Sequence, residues 1–148
     1  MKSRLESISD GLVKNLVASN NLQRRRAVIL ACEHALRSAS LFGPAYDEHI
    51  QDLLRGNNFP PGTLSQLNKI VEELDEKYFL AQETSEDNSE TDGDYIIFFS
   101  QARAVSSLAF AGEEDSLFFS CESIYEALMA VENRDLLVES ILLALTKN

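Results

Sequence analysis

Two adjoining segments decide the fold, ETSEDNSETDGD at residues 83–94 and YIIFFSQARAVSSLAFA at residues 95–111. The first segment is acidic and has no large apolar side chain, so burial cannot offset the entropy lost on ordering it, and we predict a solvated loop over 83–94. The second is nearly apolar all round, which predicts a buried central helix over about 95–111. The inner stripe of that helix is predicted to contain Ile97, Phe98, Ala102, Val105, Leu108 and Ala109.

Helical periodicity continues on both sides of these segments. Apolar residues recur at spacings of three and four from Leu5 to about Ser19 and from Leu22 to about Leu41. Gly43-Pro44 ends one helix and starts the next, and a capping box at Thr63 predicts a fourth. Glu113–Asp115 suit the first turn of a sixth helix, and Asn133 can cap the last. The sequence predicts a single all-α domain over residues 1–148, a bundle of about seven helices.

Charge is distributed unevenly along the chain. Residues 1–82 contain equal numbers of acidic and basic side chains, so the whole net charge of −11 falls in residues 83–148. Such a field repels nucleic acid and anionic membranes and attracts basic proteins, so we expect neither nucleic acid nor membrane as a partner. The central segment is also shorter than a bilayer span and contains Arg103. Without an apolar signal segment after Met1, a cytoplasmic location is expected.

Motifs for catalysis or cofactor binding are missing from the pattern. There is no Gly-rich phosphate loop, nucleophile elbow or paired-cysteine motif, so we expect a protein that is not an enzyme and has no cofactor. Asp47, Glu48, His49 and Asp52 share one short helix, but a single imidazole among surface carboxylates predicts a solvated face rather than a metal site. Cys32 and Cys121 both lie in apolar helical patterns, which predicts two small buried residues; a disulfide between them stays open.

Two segments, RRAVILACEH at 25–34 and DGDYIIFFSQA at 92–102, resemble parts of the small all-α immunity proteins of bacterial toxin systems, including contact-dependent growth inhibition. In that family a helix ends near a Phe-Gly corner, as at Phe42-Gly43, and an acidic loop and an alanine-rich buried helix follow. The resemblance implies a stoichiometric inhibitor of a toxin. It assigns no functional residue in this chain.

Electrostatics leads to the same expectation by a separate route. A nuclease toxin presents a basic cleft to its polyanionic substrate, and clustered carboxylates accelerate the capture of such a protein. We therefore expect the toxin to bind the 83–94 loop and the outer faces of the last two helices. The candidate partner-binding residues are Glu86, Asp87, Glu90, Asp92, Glu122 and Glu126, the last two because they are spaced four apart with no predicted cation beside them.

Two alternatives belong to other functional classes. A helical adaptor or assembly subunit without a toxin partner would use an exposed aromatic patch, for which Phe118-Phe119 is the candidate. A small hydrolase or metal-dependent enzyme would be centred on His49 and would bind a divalent ion.

Overall fold

The structure, a computed structural model, describes residues 3–87 and 94–146, of which 84–87 and 94 are described by backbone alone. The described part consists of a 3-10 turn and seven α-helices, which confirms the predicted all-α class. The turn spans Arg4–Ser7. The helices are α1 Asp10–Ala18, α2 Asn21–Ser38, α3 Pro44–Leu54, α4 Pro61–Asp87, α5 Asp94–Ala111, α6 Leu117–Ala130 and α7 Arg134–Thr146.

The predicted central helix is α5, which packs against α4, α6 and α2. Ala102, Val105, Leu108 and Ala109 of its predicted inner stripe are buried, whereas Ile97 is 54% exposed. The Gln101 amide donates to the carbonyl of Ala39, just past the end of α2, over 3.5 Å. Ile97 lies one turn before Gln101, beyond the end of the helix that buries the rest of the stripe. The prediction that Ile97 is an inner residue was wrong because α2 is too short to cover it.

The predicted loop is wrong at its start. Helix α4 continues through Glu83 to Asp87, so the candidate residues Glu86 and Asp87 lie in the last helical turns. Glutamate is a good helix former, so intrinsic propensity favours continuing the helix past Glu83. Further back, α4 packs along α5 as an antiparallel hairpin. Glu90 and Asp92 lie outside the described residues.

Several helix boundaries follow side-chain caps that the sequence left ambiguous. The predicted first helix breaks at Ser9, whose hydroxyl accepts from Leu12 N at 3.1 Å and starts α1. Ser116 caps α6 in the same way, through Phe119 N at 3.1 Å, so Glu113–Asp115 precede that helix instead of forming its first turn. The fourth helix begins at Pro61, two residues before the predicted cap. Asn133 accepts from Leu136 N and caps α7 as predicted.

At the centre of the core, α2, α5 and α6 approach through small polar side chains. Ser107 and Ser123 are fully buried, and each hydroxyl donates to the other residue's carbonyl oxygen over 2.8 Å. The Cys32 thiol lies 3.2 Å from the Ser107 hydroxyl. These reciprocal bonds satisfy buried polar groups while letting two helices pack closely. In the described part of the chain, no helix combines the length and apolarity that crossing a membrane requires.

Candidate protein-binding surface on the α4–α5 hairpin

The acidic residues divide into a buried, paired group and an exposed group. Glu122 and Glu126 belong to the first, since Glu126 is only 2% exposed. The prediction that these two glutamates are unpaired on an outer face was wrong. Helix α6 packs between the N-terminal turn and α5, and both of those elements carry an arginine toward it, so Glu122 and Glu126 are not available as an exposed surface.

The buried group forms one ion-pair network across four elements. Arg4 donates through Nε to Glu122 Oε2 at 2.9 Å and through Nη2 to Glu126 Oε1 at 3.0 Å. Arg103 donates to Glu126 Oε2 at 3.0 Å and to both carboxylate oxygens of Asp75 at 3.1 Å. The network ties the N-terminal turn, α6, α5 and α4 together. The charge-assisted bonds from Arg4 raise the pKa of its guanidinium against the opposing effect of burial, so it remains charged.

Among the exposed acids, which also include Glu48, Glu114 and Glu139 elsewhere in the chain, four glutamates lie on the outer face of α4. Glu72, Glu73, Glu76 and Glu83 are exposed, and their carboxylates make no ion pair with any other described residue. Glu76 follows Glu72 by four residues and Glu73 by three, and Glu83 follows Glu76 by seven, so the four side chains share one side of the helix. Lys69 is the cation at the start of this face. The outer face of α4 therefore carries more carboxylates than cations, although Lys69 and Lys77 each lie four residues from Glu73.

Apolar side chains are exposed beside these carboxylates, near the end of the hairpin. The Tyr78 ring packs between Phe79 and Tyr95, with centroid distances of 5.3 and 6.0 Å, and contacts Phe99 edge-on at 5.5 Å. Phe79 is nevertheless 63% exposed, and Ile96 is 54% exposed. We define the hairpin surface by its exposed side chains, which are Glu72, Glu73, Glu76, Phe79, Glu83 and Ile96.

Large exposed apolar groups beside charges are typical of protein-binding sites, where aromatic residues supply affinity and charges supply specificity. Sequence reasoning missed Glu72, Glu73, Glu76 and Phe79 as candidates because it treated residues before 83 as electrically balanced. Helical spacing between Glu72 and Glu83 was the signal that could have found them.

Other groups of reactive residues are either buried or isolated. The His49 ring packs on Phe59 with a centroid distance of 5.0 Å. No group of His, Cys, Asp and Glu among residues 3–83 and 95–146 has an arrangement that could hold a metal ion. Both cysteines are buried, as predicted, and the structure shows that they form no disulfide with each other. Burial raises the pKa of Cys32 and of Cys121, which keeps both thiols protonated near neutral pH.

The aromatic patch proposed for an adaptor is only partly exposed. Phe118 is half exposed, and Phe119 packs between Phe118 and Phe110 at 5.3 and 6.2 Å. Phe118 borders a groove of about 500 Å³ that Val13, Val17 and Cys121 also line. This groove lies on the face formed by α1 and α6 and has fewer carboxylates around it than the hairpin surface.

Comparison of the chain with protein-family models, with curated proteins and with solved structures finds no match.

Proposed function

We propose that this protein is an immunity protein that binds a basic bacterial toxin in the cytoplasm and neutralises it through the hairpin surface. The observation that carries the proposal is the division of the carboxylates. The buried Glu122 and Glu126 each pair with an arginine, whereas the four exposed glutamates on the outer face of α4 make no ion pair with any other described residue. Unpaired exposed carboxylates in a cluster steer a basic protein and form charge-assisted bonds with its Lys and Arg side chains.

The absence of catalytic motifs in the sequence suits an inhibitor, which needs surface complementarity and no reaction centre. The resemblance of residues 25–34 and 92–102 to immunity proteins supports the same class. Glu86 and Asp87 follow Glu83 within α4, and Glu90 and Asp92 follow them in the sequence.

The first experiment is a pull-down from lysate of the source organism, with the full chain as bait at low and at moderate salt. We expect one small basic protein in equal amount, whose toxicity in a growth assay disappears when this chain is co-expressed. Recovery of no such protein, or of an assembly that salt does not affect, would contradict the immunity function and favour the helical adaptor.

The second experiment locates the surface once the toxin is in hand. Glu72→Lys/Glu76→Lys/Glu83→Lys should slow association with the toxin at least tenfold in stopped-flow or surface plasmon resonance, because steering is lost. The control is Glu48→Lys/Glu114→Lys/Glu139→Lys, which changes the net charge equally at exposed glutamates outside the hairpin. Equal rate losses in both variants would show that only net charge matters and that the hairpin is not the site.

A further inference from the structure

Carboxylates beside an aromatic ring hold the guanidinium of Arg4. Arg4 donates to Glu122 at 2.9 Å and to Glu126 at 3.0 Å. Its guanidinium carbon lies 4.3 Å from the centroid of the Tyr125 ring, three residues after Glu122 on α6. The carboxylates accept charge-assisted hydrogen bonds and the ring face makes a cation–π contact, and a planar guanidinium can make both at once.

A second arginine is held in the same way within the aromatic cluster of the α4–α5 hairpin. Arg103 donates to both carboxylate oxygens of Asp75 at 3.1 Å, and its guanidinium carbon lies 5.8 Å from the centroid of the Phe99 ring. Phe99 contacts Tyr78 edge-on, and Tyr78 stacks on Phe79 with ring planes 13° apart. The Phe99 end of this cluster therefore carries a cation from the chain itself.

The other end of the cluster is the ring of Phe79, which faces solvent. Phe79 is 63% exposed. Glu76 precedes it by three residues, and Glu83 follows it by four. Both spacings make the glutamates neighbours of the ring on the helix surface, with about 5–6 Å between Cβ atoms. The first spacing equals that of the acid and the ring that hold the N-terminal arginine on α6.

No cation of the described chain binds to these three residues. Glu76 and Glu83 make no ion pair with any other described residue, and no described cation lies over the Phe79 ring. Lys77, the basic residue nearest in sequence, lies instead over the Phe98 ring, 5.9 Å from its centroid. The chain thus presents to solvent the same kinds of group that hold an arginine at two other places.

We propose that Glu76, Phe79 and Glu83 form an arginine site, which binds an arginine side chain of the partner protein. The proposal rests on the proposed function for the identity of the partner, and it names the side chain that the hairpin surface selects. Charge alone would attract lysine equally. Arginine is favoured because its weakly hydrated, planar guanidinium stacks on a ring while donating to a carboxylate, whereas an ammonium is a strongly hydrated point charge.

Charge disfavours two other occupants of this site. A second copy of this chain would bring together two acidic surfaces in a protein of net charge −11. The segment 88–93, which joins α4 to α5, reads NSETDG and has no basic side chain to place over the ring.

Two synthetic peptides test the arginine site without the toxin. Both are flexible Gly-Ser chains with basic residues at the same positions, arginine in one and lysine in the other. In fluorescence anisotropy with the full chain at low salt, we expect the arginine peptide to bind about threefold more tightly, the size of one exposed cation–π contact. Phe79→Leu should reduce this ratio to about one and leave the affinity for the lysine peptide unchanged, because it removes the ring and keeps the charges.

The matched control is Phe118→Leu, which removes the ring of another half-exposed phenylalanine and should keep the ratio. Equal binding of the two peptides to the wild type, or a ratio that survives Phe79→Leu, would overturn the arginine site. An equal loss of the ratio in Phe118→Leu would also overturn it, since any exposed ring would then serve. Dimerisation of the wild type in sedimentation velocity that Phe79→Leu abolishes would overturn it in favour of a second copy.

Failure of the arginine site and failure of the proposed function give different results. If the chain neutralises a toxin but binds the two peptides equally, only the arginine site is wrong. If no toxin is recovered but the ratio holds and depends on Phe79, the arginine site stands and the immunity function is wrong.

Discussion

At the scale of single residues, Glu126 shows how a carboxylate can be acidic in the sequence and neutralised in the fold. It receives hydrogen bonds from Arg4 and from Arg103 while almost completely buried. Such a residue supplies no charge to the surface, so a count of acidic residues along the chain overstates the field of the C-terminal half. It also makes Glu126 a residue on which stability depends.

We expect Glu126→Ala to lower the free energy of unfolding by about 3 kcal/mol. The substitution leaves Arg4 paired only with Glu122 and leaves Arg103 paired only with the partly exposed Asp75. Urea denaturation followed by circular dichroism measures the change. Glu139→Ala is the matched control on the exposed face of α7 and should change stability by less than about 0.5 kcal/mol. A loss below about 1 kcal/mol for Glu126→Ala would mean that water, and not the network, compensates the two arginines.

At the scale of elements, the corner between α2 and α3 depends on unusual backbone. Ser40 has a φ of 58°, in the left-handed region where a Cβ is disfavoured, and the next helix starts after Gly43 at a φ of 138°. Helix α2 ends here because the Leu41 amide bonds back to the Leu36 carbonyl at 2.8 Å. The reversal places α3 beside α2, where Arg25 donates to the carbonyl of Leu53 at 3.2 Å.

We expect Ser40→Gly to raise the free energy of unfolding by about 0.5–1 kcal/mol, since glycine adopts this conformation without steric cost. Ser65→Gly, at an exposed position inside α4, should lower it by a similar amount because glycine is a poor helix former. Thermal unfolding of the two variants measures both signs. Destabilisation by Ser40→Gly would show that the Ser40 side chain contributes more than its backbone strain costs.

Much of the fold could be predicted from sequence because helical periodicity is local. The seven helices, the Gly43-Pro44 break and the buried stripe from Ala102 to Ala109 all follow from spacing and breakers. The errors concern partners distant in sequence. Glu126 looked unpaired because Arg4 lies 122 residues away, and Ile97 looked buried because nothing local shows that α2 ends at Ser38. The sequence alone shows which residues share one face of a helix. Tertiary packing decides whether another element covers that face.

The candidate surface was predicted less well for a related reason. The sequence comparison was between the net charge of residues 1–82 and that of residues 83–148. In the structure, helix α4 crosses this boundary, so its exposed acids before residue 83 lie on the same helix as Glu83 and pack beside α5. Glu72 and Glu76 belong to this surface, whereas Glu122 does not. The toxin-binding role itself stays a prediction.

At the scale of the whole molecule, burial decreases along the hairpin toward its end. Ala104 and Leu108 of α5 are fully buried, whereas Ile96 and Ile97 near the start of the same helix are each 54% exposed. Segments with few buried contacts open locally at lower free energy than the global transition. The end of the hairpin should therefore open while the α2–α5–α6 core stays folded.

Native-state hydrogen exchange tests this gradient within a single helix. We expect the exchange free energies of α5 amides to rise from residues 98–100 toward residues 104–110, and those near Ser107 to approach the global free energy of unfolding. Uniform protection along α5 would instead show that the end of the hairpin opens only together with the α2–α5–α6 core.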